Sequence, residues 1–167
     1  MDSPTPYAVV SRAERPQLAT KAEVLALCRR LERGALVERP DAVAASLQDA
    51  RYLSERTREL YGRLAAVGVP VTVHARGLHA WIAPGVRGVD VDDDDPVGDE
   101  WVLVLASSRA PVVLAATDLR RPAAADLDRS FLCAVSRDPE VVAGCLRLLG
   151  PAAGGLHSVQ RSSAAAG

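Results

Sequence analysis

The chain has little of what would announce a nucleic-acid-binding, membrane or secreted protein. Its formal net charge is −1 at pH 7, so it has no basic field that would hold nucleic acid or an anionic membrane. The first residues have neither a charged segment nor an apolar one that would resemble a secretion signal. No stretch approaches the ~18 apolar residues that a membrane-spanning helix needs. We therefore expect a cytoplasmic protein without direct contact to nucleic acid or membrane.

Cysteine is also scarce. Cys28, Cys133 and Cys145 are odd in number, widely spaced and form no CxxC pair, which argues against a disulfide framework or a structural zinc site. All three lie in apolar surroundings, which predicts buried free thiols in a reducing compartment. A domain of about the length of this chain, 167 residues, removes roughly 68–70% of its unfolded surface from water, which is enough for a stable core without disulfide bonds.

Recognisable catalytic and metal-binding motifs are missing as well. The sequence holds no GxSxG, HExxH, P-loop or GxGxxG pattern. The acidic run Asp90–Asp95 departs from a calcium loop, because its sixth position is Asp rather than Gly and its twelfth is Trp101 rather than Glu. His74 and His79 are five residues apart, which suits a ligand pair on neither a strand nor a helix. The sequence therefore predicts no catalytic residue, no metal and no cofactor.

What the chain does have is a pair of apolar runs joined by a short turn. Trp101–Ala106 and Val112–Ala116 flank Ser107–Pro111, which predicts a buried β-hairpin with carboxylates at its ends. Further strands are predicted at 43–48, 69–74 and 131–135, with a short one at 86–91.

Three helices have clear start signals. A capping box of Thr20 and Glu23 begins a helix that we expect to end at Gly34. Ser54 caps a second helix, and the last begins at Asp138, which Pro139 and Glu140 follow.

The mixture of helices and strands predicts an α/β (α+β) fold. We expect a single-domain sandwich, with a mixed sheet of about five strands that includes the antiparallel hairpin and is flanked by helices. Residues 1–17 are interpreted as a flexible N-terminal arm and 18–150 as the domain. Residues 151–167 are interpreted as a disordered Ala/Gly/Ser tail.

Polar and aromatic residues at the ends of these elements are the candidates for a binding site. The Gly/Pro-rich segment 76–100 is long for a connection in a compact domain, and such connections are often functional. Two interpretations of these residues stay open. In one they are structural, as helix caps, core packing and salt bridges such as one between Arg129 and Asp118 or Asp128. In the other, some of them line a pocket at the sheet edge beneath segment 76–100. The candidate ligand-binding residues are Gln48, Asp49, Arg51, Tyr61, Glu100, Trp101, Asp118 and Arg129, and Tyr52 and Asp138 occupy similar positions.

Several short motifs follow one another in order along residues 18–149. They are Ser46–Ser54, Thr57-Arg58, Tyr61, Leu64-Ala65, Val86–Gly88, Asp95-Pro96, Glu100-Trp101, Ala116–Leu119, Asp128–Phe131 and Asp138–Val142. This order resembles the DICT domain, a sensory domain of diguanylate cyclases and two-component systems. The sequence departs from the family at Ser107–Arg109, where an aromatic residue or Gly is common, and at Ser136, where the family tends to have Tyr.

The resemblance implies a non-catalytic sensory or regulatory domain of bacterial signal transduction. Family members are usually fused to an output domain, for which this sequence has no room, so we expect signalling in trans to a kinase, a cyclase or a transcription regulator. A small-molecule ligand and a homodimer are further expectations. Two alternatives stay open: a constitutive protein-interaction module without a ligand, and a small enzyme that uses Glu100 or Asp118 as an acid or base.

Overall fold

A computed structural model describes residues 4–78 and 81–150 and contains one seven-stranded sheet between two pairs of helices. The helices are α1 (Pro6–Ala13), α2 (Lys21–Glu38), α3 (Glu55–Ala66) and α4 (Pro139–Leu149). The strands are β1 (Gln17–Thr20), β2 (Ala42–Asp49), β3 (Val71–Arg76), β4 (Val86–Asp90), β5 (Glu100–Ala106), β6 (Val112–Asp118) and β7 (Ser130–Ser136).

The sheet is mixed, with the order β1-β7-β6-β5-β2-β3-β4. Strands β2, β3 and β4 run parallel, and all other neighbours are antiparallel. The predicted hairpin is confirmed as β5 and β6, with Leu103 opposite Leu114. The sheet has seven strands rather than about five. Strand β1 escaped prediction because it has only four residues, and the first two are exposed.

Residues 6–13 form helix α1, so the prediction of a flexible arm over 1–17 is wrong for this stretch. Thr5 caps the helix by accepting a hydrogen bond from the Ala8 N–H, and Pro6 occupies its first turn. Val10 is completely buried in the apolar layer that α1 shares with α4. An isolated helix of eight residues is marginal in water, so tertiary packing stabilises this one.

The predicted capping signals are confirmed, whereas one predicted helix end is wrong. Thr20 and Glu23 form the reciprocal capping box, with the Thr20 N–H donating to Glu23 Oε2 at 2.7 Å. Helix α2 continues past Gly34 and ends before Arg39, which has a left-handed backbone. Burial of Ala35, the residue after Gly34, outweighs the ~1 kcal/mol that a glycine costs inside a helix.

Apolar side chains cover both faces of the sheet. Helices α2 and α3 pack on one face around Tyr61, Leu103 and Phe131. Helices α1 and α4 pack on the other around Val104 and Leu149. Because both faces are closed, polar groups that can meet a ligand collect at the ends of the strands.

Candidate functional site

Charged side chains gather at one end of the sheet. There β2 and β3 finish with Asp49 opposite Arg76, and β6 finishes with Asp118 opposite Phe131 of β7. The side chains enclose an open cavity of about 190 Å³, which we call the polar cup. The polar cup is lined by Gln48, Asp49, Arg51, Tyr52, Arg76, Gly98, Asp99, Asp118, Arg120 and Arg129.

Arg129 organises one wall of the polar cup. Its Nη2 pairs with Asp118 Oδ2, and its Nη1 donates to Tyr52 Oη at 3.0 Å and to Asp126 Oδ1 at 3.1 Å. The predicted ion pair of Arg129 with Asp118 is confirmed. Partial burial lowers the pKa of Arg129, but its hydrogen bonds to Asp118, Asp126 and Tyr52 more than offset this, so the net pKa is raised.

Lys21 supports this wall from behind, and sequence reasoning missed it. Its side chain is buried at the start of α2, its Nζ lies 4.0 Å from the Tyr52 ring centroid, and it pairs with Asp126. The hydrogen bonds from Lys21 and Arg129 lower the pKa of Asp126. Lys21 is the only lysine in the chain, and that was the one signal that could have drawn attention to it.

Arg76 ties residues 93–99, which we call the acidic turn, to the opposite wall of the polar cup. Its Nη1 donates to Gly98 O at 2.7 Å and to Asp99 Oδ1 at 3.0 Å, and its Nη2 donates to Asp93 O and Asp95 O, both at 3.1 Å. A Cβ at Gly98 would lie 2.5 Å from Arg76 Cζ, so only glycine permits this approach. Arg76 Nε is buried without a hydrogen-bond partner.

Two non-glycine residues of the polar cup have a left-handed backbone. Gln48 (φ 67°) and Arg120 (φ 51°) are two of the three non-glycine residues with positive φ in the described ranges, and each costs about 1–3 kcal/mol. The pairing of β2 with β3 becomes irregular between Ser46 and Asp49, and the Gln48 amide donates to Asp99 O at 2.9 Å. Irregularities of this kind re-aim side chains and collect at functional sites.

The polar cup brings together five of the eight candidate residues from three different parts of the sequence. Gly98 and Asp99, near the end of segment 76–100, form part of its wall. Asp138 lies outside the polar cup, where it caps α4. The five candidates in the polar cup are Gln48, Asp49, Arg51, Asp118 and Arg129.

Two aromatic candidates lie in the core instead. The Tyr61 hydroxyl donates to Glu32 Oε1 at 3.1 Å between α3 and α2, and burial raises the pKa of both groups. Trp101 packs edge-on against Phe131, with ring centroids 6.2 Å apart. Both side chains stabilise the α2–α3 side of the sheet.

Glu100 also lies outside the polar cup, under helix α1. It is 5% exposed and accepts a hydrogen bond from the Tyr7 backbone N–H at 2.9 Å. Burial raises the pKa of Glu100, and hydrogen bonds from Thr5 and Tyr7 partly counteract this rise. Asp118, the other carboxylate considered as an acid or base, lies in the wall of the polar cup and pairs with Arg129.

A larger groove of about 730 Å³ runs between α3 and segment 81–85. Its floor is apolar, with Ala65, Ile82 and Pro84 among the lining residues, and its rim carries charges of both signs. Trp81 stands at its edge and is 71% exposed. No sequence motif marks this groove.

Metal and membrane features are lacking in the described part of the chain. Within residues 4–78 and 81–150 no three His, Cys, Asp or Glu side chains are grouped to hold a metal ion. No helix in these ranges combines the length and apolar character needed to cross a bilayer. His79, His157 and the predicted tail at 151–167 lie outside the described residues. Burial raises the pKa of Cys133 and of Cys145 to about 11, so these thiols stay protonated near neutral pH.

Comparison with known proteins identifies one family. The sequence model of DICT, described as a sensory domain in diguanylate cyclases and two-component systems, matches residues 7–119. The match starts inside α1 rather than at the predicted domain start of residue 18, and it includes eight of the ten residues of the polar cup. Arg120 and Arg129 lie beyond it. No curated protein and no solved structure matches the chain.

Proposed function

We propose that the polar cup is the ligand-sensing site of this chain, which belongs to the DICT family of sensory domains of signal-transduction proteins. The observation that carries the proposal is the coincidence of an open polar cavity with two strained non-glycine residues, Gln48 and Arg120. Strain of this kind persists only where the surrounding structure holds it in place, and it is typical of ligand sites.

The size of the polar cup limits the ligand. Its volume of about 190 Å³ is slightly more than the ~150 Å³ that accommodates benzene, and it is below the ~300–1,000 Å³ of pockets for drug-sized molecules. A small polar metabolite therefore fits, whereas a complete nucleotide would extend outside.

Asp99 offers a way to transmit ligand binding. Its Oδ1 accepts from Arg76 at 3.0 Å and from Arg120 at 2.8 Å, and Arg76 also holds the carbonyl groups of Asp93 and Asp95. A ligand that binds Arg120 changes the ion pair between Arg120 and Asp99 and thereby shifts the population of conformations of the acidic turn. A kinase, cyclase or transcription regulator would read that surface in trans.

A thermal-shift screen of the full chain against nucleotides and small metabolites tests the proposal. A ligand at 100 times its Kd should stabilise the folded state by about 2.7 kcal/mol. Arg51→Ala should abolish the response, because Arg51 lines the polar cup. The Arg51 side chain is 71% exposed, so this substitution should leave the fold intact. Arg63→Ala in the groove beside α3 is the matched control and should respond like the wild type.

Two results of this screen would contradict the proposal. One is that no compound stabilises the wild type. The other is that Arg63→Ala removes the response while Arg51→Ala keeps it. The first result would favour the alternative of an interaction module without a ligand, which the apolar groove with exposed Trp81 supports. Such a module would use the groove and leave the polar cup without a ligand.

A further inference from the structure

We propose that the polar cup of this chain selects a small anion, a carboxylate or a phosphate, and binds it through the guanidinium groups of Arg120 and Arg51 and the hydroxyl of Tyr52. The inference rests on the proposed function, because it names the ligand class of the same site. It follows from which hydrogen-bonding groups of the polar cup are already engaged.

The carboxylates of the polar cup already have donors. Asp118 accepts from the Arg120 backbone N–H at 2.8 Å and from Arg129. Asp99 Oδ1 accepts from two guanidinium groups. Asp49 Oδ1 accepts from the Arg51 backbone N–H at 2.9 Å. A cationic ligand would compete with the groups that already donate to these carboxylates, which makes them poor partners for it.

Donors, in contrast, remain in excess. A guanidinium has five N–H groups. Within the described residues, one side-chain nitrogen of Arg120 contacts Asp99, one of Arg51 donates to Tyr52 Oη, and Arg51 Nε lies 3.8 Å from Asp49 Oδ1. Both side chains are 71% exposed. Tyr52 Oη accepts from Arg51 at 3.2 Å and from Arg129 at 3.0 Å, so its own proton is available to a ligand.

The charge balance points the same way. Four arginines and three aspartates line the polar cup, which gives it one excess positive charge in a chain whose formal net charge is −1. The planar fork of arginine matches the oxygens of a carboxylate or phosphate. The small cavity therefore fits an anion of the size of phosphate, malonate or succinate. Arg120 lies beyond residues 7–119, so the selection is proposed for this chain rather than for the family.

Calorimetric titration and thermal shift of the full chain with phosphate, malonate and succinate test the inference. Malonamide and succinamide are the neutral matches, 1,4-diaminobutane is the cationic one, and sodium chloride keeps the ionic strength constant. At least one anion should raise the melting temperature saturably, and malonamide, succinamide and 1,4-diaminobutane should not. Arg120→Ala should weaken the binding of that anion about tenfold or more, because it removes a charge-assisted contact.

A second variant predicts a change in the opposite direction. Asp49→Asn removes one negative charge from the polar cup and keeps an oxygen for the Arg51 N–H, so it should tighten anion binding about fivefold. Arg63→Ala, outside the polar cup, should leave the affinity unchanged. Because one variant must gain affinity and the other must lose it, a general loss of folding cannot imitate the result.

Two results would overturn the inference. In the first, no anion stabilises the protein beyond the sodium chloride control. In the second, the neutral or cationic match binds as well as the anion. If the metabolite screen then yields a neutral ligand whose effect Arg51→Ala abolishes, the sensing site stands and only its anion selectivity is wrong. If the screen yields nothing, the proposed function fails with it.

Discussion

Asp99 and Glu100 are consecutive acidic residues in opposite environments. Asp99 lies in the polar cup, is partly exposed and pairs with two arginine side chains. Glu100 is buried on the α1–α4 side of the sheet and accepts a hydrogen bond from the Tyr7 backbone N–H. One region is polar and open at the end of the sheet, and the other is closed by a helix.

The difference separates two tasks of charged residues. In the polar cup, exposed charges contribute little to stability and are available to a ligand. Under α1, the carboxylate satisfies a backbone N–H at the start of a short helix, and its loss would leave that donor buried and unpaired. We therefore expect changes at Glu100 to affect folding, and changes at exposed residues of the polar cup to affect binding.

The largest effect should come from Glu100→Ala. The substitution leaves the Tyr7 N–H without its acceptor and creates space beneath α1, so the free energy of unfolding should fall by about 2–3 kcal/mol. Urea denaturation measures this change. Asp99→Ala is the matched control and should cost less than about 1 kcal/mol. An equal loss in both variants would remove the distinction between the two regions.

Breaking the Arg129–Asp118 pair should cost an amount of stability between those of Glu100→Ala and Asp99→Ala. Both side chains are mostly buried, although they line the polar cup. Arg129→Ala and Asp118→Ala should each lower the free energy of unfolding by about 2 kcal/mol, and a double-mutant cycle should show coupling of about 1–2 kcal/mol. Additive effects in this cycle would mean that the pair does not support the wall of the polar cup.

The buried carboxylate of Glu100 should make its own contribution to the pH dependence of stability. Because burial raises the pKa of Glu100 in the folded state, the folded protein binds more protons than the unfolded one just above the ordinary carboxyl pKa. The stability from this group is therefore present below the unfolded pKa and is lost as the pH rises through the folded one.

Glu100→Gln removes this titration and keeps an acceptor for the Tyr7 N–H. The wild type should therefore lose stability relative to this variant as the pH rises from about 4 toward neutrality. Glu32, whose pKa burial also raises, is present in both proteins and cancels. Denaturation curves across this range test the sign, and a difference that is independent of pH would contradict it.

The features that sequence predicted well depend on neighbouring residues. The capping box of Thr20 and Glu23, the start of α4 at Asp138 and the hairpin of β5 and β6 each follow from a short stretch of chain. Gln48, Asp49 and Asp118 are predictable candidates because they lie at strand ends, and the register of the sheet brings those ends together.

The features that sequence missed depend on distant contacts. Helix α1 packs against α4, more than 120 residues away in the chain. Arg76 contacts Gly98, and Lys21 contacts Asp126. Gly98 and Asp126 lie in connecting segments that have no regular pattern of apolar residues, so the sequence does not predict these contacts. Tyr61 and Trp101 looked like binding residues because an aromatic side chain at an element end suits a pocket or a core equally well.

The smallest stability effect should arise from the backbone of Arg120. Glycine adopts a φ of 51° without the steric cost that other residues meet there, so Arg120→Gly should be about 0.5–1 kcal/mol more stable than Arg120→Ala. Both variants should lose the anion contact, because both lack the guanidinium. Arg39→Gly, at a φ of 50° at the end of α2, should show similar relief without any change in binding. Equal stabilities of the glycine and alanine variants at position 120 would show that the left-handed backbone there stores no strain, which would remove the main argument for a preorganised site at this end of the sheet.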